Sequence, residues 1–160
     1  MAQPSIREIP SAEVPIELLL LADPSEKTIR SYLGRSTCFV ATIDGAVVGA
    51  CAVQPREPGT FELMSIAVRE EEQRRGIGSA LLRTVIEHFR RSGAGRLEVG
   101  TGSFGYQLAF YQRHGFRVTK IDRDFFVRNY DEPIFEEGIR LRDMLRLSLT
   151  YGEDAGAPGP

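Results

Sequence analysis

Apolar residues follow two rhythms along this chain. Short alternating or continuous apolar runs at 5–9, 37–43, 46–53, 61–68, 96–100 and 142–149 predict strands. A helical rhythm at 76–92 sets Ile77, Leu81, Leu82, Val85, Ile86 and Phe89 on one face and predicts the longest helix. Shorter helices are predicted at 15–22, 25–33 and 106–114. Asp23-Pro24-Ser25 stops the first of these and caps the second. Gly93-Ala94-Gly95 ends the long helix, and Gly115 ends the last. Residues 55–60 read as a turn, 116–121 and 124–128 as extended chain with a bend, and 129–138 as a loop. Antiparallel strands first, then a strand-helix-strand-helix-strand centre, imply a mixed sheet covered by helices, an α/β fold.

Asp44-Gly45 between two apolar runs is a hairpin signal for a two-residue turn. Cys38 and Cys51 stand equidistant from that turn. A regular hairpin would set them opposite each other, as two reduced thiols used as small apolar residues.

Length and charge narrow the picture. The 160 residues suit one domain, expected over 1–150, with a Gly-, Ala- and Pro-rich tail at 151–160 expected to be disordered. Twenty basic against 22 acidic residues leave a formal charge of −2, which argues against a nucleic-acid binder working by phosphate neutralisation. No apolar run approaches the ~20 residues of a membrane span, and residues 1–10 lack the apolar core of a secretory signal. A cytoplasmic protein is the expectation, with no membrane and no nucleic acid among its partners. Two cysteines make neither a disulfide framework nor a metal pattern, so no metal is expected.

Two glycine motifs compete for chemistry. Gln73-Arg74-Arg75-Gly76-Ile77-Gly78 lies between a predicted strand and the long helix. A helix start leaves backbone N–H groups unpaired and favours anions, and glycines let a phosphate approach closely. Ser79 and Ala80 stand where a Walker loop needs Lys and Ser or Thr, so this is a diphosphate cradle of another kind. Gly100-Thr101-Gly102-Ser103-Phe104-Gly105 matches the dinucleotide fingerprint literally. Its unit is too short for a βαβ module, its helix holds about two turns, and it follows an antiparallel hairpin. A tight strand-to-helix connection is the reading preferred there.

With both motifs in view, the chain resembles the GNAT family of acetyl-CoA-dependent N-acetyltransferases. The residues that carry the resemblance are Glu62-Leu63-Met64-Ser65-Ile66-Ala67-Val68 followed by 73–78, then Ala109-Phe110-Tyr111 with His114-Gly115-Phe116. It runs over about 37–116. Residues 18–24 and 131–147 look like a bacterial subfamily of it. The resemblance implies a mixed, mostly antiparallel sheet with splayed parallel central strands and helices on both faces.

The resemblance also implies a site. The backbone of Gln73, Arg74, Arg75, Gly76, Ile77, Gly78 and Ser79 would bind the diphosphate of acetyl-CoA. Ile66, Ala67 and Val68 would line the pantetheine, and the Ile66 N–H would polarise the thioester carbonyl. Tyr111 would be the acid that quenches the departing thiolate, and Glu62 the base that takes a proton from the ammonium. Glu62 is expected to share a strand face with Met64, Ile66 and Val68. Many members carry Asn seven residues before the Tyr; here Phe104 stands, with Ser103 beside it as the cofactor contact. His114 reads as a residue at a helix C-terminus.

Residues 129–138 contain Asp131, Glu132, Glu136 and Glu137 with Tyr130 and Phe135 and no basic residue. Tyr130, Asp131, Glu132 and Phe135 are the substrate-binding candidates, suited to a small cationic amine. A peptide or protein amine, a non-catalytic CoA-binding module, and an NAD-linked enzyme using 100–105 stand as alternatives, and the resemblance leaves a homodimer open.

Overall fold

The computed structural model describes residues 3–152, so the tail expected at 151–160 lies outside the described residues from 153 onward. The chain forms two compact units, one running to Ala94 and one starting at Gly95.

In the first unit, four strands pair antiparallel in sequence order: β1 (Ser5–Ile9), β2 (Thr37–Ile43), β3 (Ala46–Pro55) and β4 (Thr60–Val68). One face carries Cys38, Val40, Ala50, Ala52 and Ala67. It is closed by Leu18 and Leu19 of α1 (Ile16–Leu19) and by Ile29 and Tyr32 of α2 (Glu26–Leu33). Ser25 caps α2 as expected, its hydroxyl accepting from the Thr28 N–H at 3.1 Å. The other face takes α3 (Ile77–Arg91), whose Ile77, Leu81, Leu82, Val85 and Phe89 are buried. Gly49 permits that approach: a Cβ there would stand 3.0 Å from Leu81 Cδ1 and 3.3 Å from Ile77 Cγ2.

Two bulges rearrange what the strands present. In the hairpin, Ala41 faces Gly49 but Thr42 faces Val47, so Val48 is an extra residue. The register slips by one, and Cys38 faces Ala52 while Phe39 faces Cys51. The two cysteines therefore point to opposite faces of the sheet and cannot bridge, which corrects the expectation that they sit opposite each other. Both thiols are buried, and burial pushes Cys38 up to about 11 and Cys51 up to about 12. Without reductant, a thiol reagent should titrate two thiols per chain, and only after denaturant is added. Fewer than two would mean that a disulfide forms.

The second bulge lies in β4. Ala52 faces Ser65 but Val53 faces Leu63, leaving Met64 as the extra residue. Alternation breaks there, and Glu62, opposite Gln54, shares its face with Ser65 and Ala67 beneath α1 and α2. The expected grouping of Glu62 with Ile66 and Val68 is corrected by that one inserted residue.

In the second unit, β9 (Met144–Thr150) pairs antiparallel with β5 (Arg96–Gly102) on one side and with β6 (Arg117–Asp122) on the other. α4 (Tyr106–Arg113) packs on β5. Because β9 separates β5 from β6, residues 96–121 form no βαβ pair of neighbouring parallel strands. The glycines of the rejected fingerprint have packing reasons: a Cβ on Gly100 would run into the Met144 sulfur, and one on Gly102 would lie 2.9 Å from Leu141 Cδ2.

Two elements differ from expectation. Residues 124–128, expected extended, enter α5 (Phe125–Asn129). The Asp124 N–H donates to the Asp143 carboxylate at 2.9 Å, the Phe126 N–H donates to the Arg142 carbonyl at 3.0 Å, and Arg128 pairs with Asp122 at 2.7 Å. Those partners, some distant in sequence, outweigh the local extended preference. The expected loop at 129–138 contributes one strand, β7 (Phe135–Glu136), of a small hairpin with β8 (Ile139–Arg140). Among the described residues no helix is long and apolar enough to cross a membrane.

Candidate active site

The first unit holds the candidate diphosphate cradle. Gly76 opens α3 with φ +79, a left-handed conformation that costs a glycine little, and Arg74 shares it at φ +68. The first helical bond runs from the Ala80 N–H to the Gly76 carbonyl at 3.0 Å. The amides of Ile77, Gly78 and Ser79 therefore precede any intrahelical acceptor, and no side chain at Gly76 caps them. Nothing lies within 4 Å of where a Gly76 Cβ would be, so the approach is open. Arg74 and Arg75 are exposed at the same turn, Arg75 paired with Glu72 at 2.7 Å. Unpaired amides at the positive end of a helix dipole, flanked by two cations, fit a diphosphate.

Gln73 ties this turn to β4. Its side-chain amide donates to the Val68 carbonyl at 3.0 Å, so its side chain serves the loop and leaves only its backbone for a ligand. Ile66, Ala67 and Val68 are thereby joined to the cradle; Ala67 is buried, and Ile66 and Val68 are half-buried. Glu62 is 5% exposed, with Arg56 Nε 3.3 Å from its Oε1. Burying a carboxylate is costly unless it is paired, and Arg56 is one such partner.

The same sheet face carries polar groups that the sequence reading missed. Asp23, Gln54 and Ser65 are buried there with Glu62, and Tyr32 reaches in from α2. Gln54 accepts from Arg35 Nε at 3.0 Å and donates to the Met64 sulfur at 2.9 Å. Asp23 accepts from the Ser25 N–H at 3.0 Å. The one local signal was Tyr32 on an otherwise aliphatic helix face. An open groove of about 720 Å³ on this unit, lined by Ile6, Phe39, Thr84, His88 and Arg91 among others, contains none of the predicted residues.

The second unit holds Tyr111 on α4, 4% exposed, its ring 5.3 Å from Phe110 and 5.9 Å from Phe116. His114 lies at the end of this helix, its Nδ1 2.9 Å from the Phe110 carbonyl, as its helix-end reading implied. Ser103 is exposed and Phe104 half-buried in the segment before α4. Tyr130 stacks on Phe126 at 6.0 Å, while Asp131 and Glu132 are exposed and Phe135 is 61% exposed.

The acetyltransferase (GNAT) family model matches residues 5–116. An uncharacterized N-acetyltransferase, YvbK of Bacillus subtilis, is 45% identical over 134 residues, 83% of this chain and 86% of that protein. Among solved structures, one named IAA acetyltransferase from Bacillus cereus has 45% identity and a TM-score of 0.89, covering 92% of this chain and 99% of that one. A GNAT family acetyltransferase from Elizabethkingia anophelis, solved with acetyl-CoA bound, has 38% identity and a TM-score of 0.88, covering 92% and 97%.

Proposed function

Because this chain belongs to the GNAT acetyltransferase family, with its mixed, mostly antiparallel α/β fold and its use of acetyl-CoA, we propose that it acetylates the primary amine of a small cationic substrate by direct attack in a ternary complex. The observation that carries this reading is the set of unclaimed amides at the start of α3, opened by the left-handed Gly76. Acetyl-CoA supplies the activated acyl group.

The chain's residues then have distinct tasks. The amides of Gly76, Ile77, Gly78 and Ser79, with Arg74 and Arg75, grip the diphosphate. The Ile66 N–H donates toward the thioester carbonyl oxygen as it gains charge, a task that contributes a few kcal/mol when such a donor is well placed. Glu62 takes a proton from the ammonium, directly or through water, since a protonated amine has no lone pair with which to attack. Tyr111 gives its phenolic proton to the departing sulfur. Ser103 contributes a side-chain contact in place of the family's usual Asn.

The charge of the acceptor is read from the second unit. Asp131, Glu132, Glu136 and Glu137 give the segment around β7 a negative field, and the exposed ring of Phe135 offers a cation-π surface. The test is thermal stabilisation by acetyl-CoA, followed by thiol release with 1,4-diaminobutane, benzylamine, glutamate and an alanine-terminated peptide. Stabilisation with fastest turnover of the diamine is expected. Faster glutamate would overturn the charge reading, a faster peptide would favour a protein amine, and no stabilisation would remove the cradle.

A further inference from the structure

An edge strand leaves one row of its backbone N–H and C=O groups without a strand partner, and proteins cover, charge or bend such edges. β6 is the last strand of its sheet: β9 lies on one side of it and, among the described residues, no strand lies on the other. All of β6 is exposed except the half-buried Asp122. Two of its residues are large and apolar, Val118 at 44% exposed and Ile121 at 59%. Val118 lies opposite Leu147 and Ile121 opposite Leu145, so both continue the sheet face that carries the buried Leu147. Arg117, Lys120 and Asp122 lie opposite Ser148, Arg146 and Met144 and take the other face. Thr119 is the extra residue of a bulge in this row.

The chemistry of this strand is complementary to itself. Laid antiparallel against a second copy about a two-fold axis, it has a register in which Arg117 meets Asp122, Val118 meets Ile121 and Thr119 meets Lys120, each pair occurring twice. Opposite charges and apolar pairs facing across strands are favourable, and like charges facing are not. A slip of one residue either way sets Lys120 against its own copy, or Val118 against Lys120. The bulge is what permits the favourable register. Paired residues must share a sheet face, and in a regular strand residues an odd number of positions apart do not. The inserted Thr119 returns Asp122 to the face of Arg117, and Ile121 to the face of Val118. Asp122 Oδ1 already holds Arg128 at 2.7 Å, which leaves Oδ2 for an arriving guanidinium. Arg117 enters no ion pair among the described residues.

We infer that β6 pairs antiparallel with β6 of a second copy of this chain, an isologous dimer that joins two sheets edge to edge with Arg117 of each copy on Asp122 of the other. Six residues a side is well below the roughly 20–30 of a standard interface, so the dimer is weak and concentration-dependent.

The test is sedimentation velocity of the full chain from low micromolar to near-millimolar concentration, at low salt. A monomer giving way to a dimer is expected. Ile121→Lys sets a charge against Val118 of the other copy and should raise the dissociation constant at least tenfold. Arg117→Glu and Asp122→Arg each set like charges opposite one another and should do the same. Mixed one to one, those two variants regain an opposite-charge pair at both ends of the strand and should dimerise as the wild type does. Ile121 and Arg117 are exposed, so their variants should melt at the wild-type temperature. Asp122→Arg loses its bond to Arg128, so its melting is checked first; should it fail to fold, Ile121→Lys against the wild type decides. A wild type that stays monomeric throughout would overturn the inference. So would an Ile121→Lys protein that dimerises like the wild type, or two folded charge variants whose mixture stays monomeric.

Discussion

Tyr111→Phe is expected to bind acetyl-CoA as the wild type does and to turn over about 10²–10⁴-fold more slowly. The substitution deletes one oxygen. The ring that packs against Phe110 and Phe116 is kept, so α4 should hold its place. What is lost is a proton source for the departing thiolate. A phenol near pKa 10 donating to a thiol near 8.5 is only modestly uphill by reference values, so the group suits the task. Water can replace it only slowly in a site where Tyr111 is 4% exposed. The measurement is kcat by thiol release beside the acetyl-CoA dissociation constant by calorimetry. A kcat within a factor of two of wild type would remove Tyr111 from the chemistry. A wild-type protein that binds acetyl-CoA and releases no thiol with any amine would be the non-catalytic module.

Leu82→Ala should be strongly destabilising. Leu82 is fully buried in the helix whose first amides form the proposed cradle. Removing most of such a side chain costs about 2–5 kcal/mol in lost transfer free energy and residual cavity. For a chain of this size each kcal/mol lowers the melting temperature by roughly 2–4 °C, so a drop of about 4–20 °C is expected. Acetyl-CoA at a hundredfold excess over its dissociation constant should return about 2.7 kcal/mol, because it binds only the folded chain. A loss under 1 kcal/mol would mean that the core beneath α3 closes over the gap. Recovery by acetyl-CoA far below that figure would mean that the cradle itself had been damaged.

Strand positions, the long helix, the Asp44-Gly45 turn, the Ser25 cap and the glycine at the start of α3 were legible from the chain alone. Each depends on neighbours within a few residues: side-chain period, one cap hydroxyl, a left-handed glycine. The open start of α3 was legible for the same reason, since the amides of Ile77, Gly78 and Ser79 follow one another in sequence. Register was not. Val48 and Met64 are unremarkable in sequence, yet each is an extra residue that turns part of a strand over, separating Cys38 from Cys51 and grouping Glu62 with Ser65. Whether a strand bulges is settled by which side chains the helices above and below can bury, and by where the opposite strand's carbonyls fall. The same holds for α5, fixed largely by Asp143 and Arg142 from far along the chain. Local chemistry wrote the elements and the open helix start; only packing between distant segments decided which polar groups share a face.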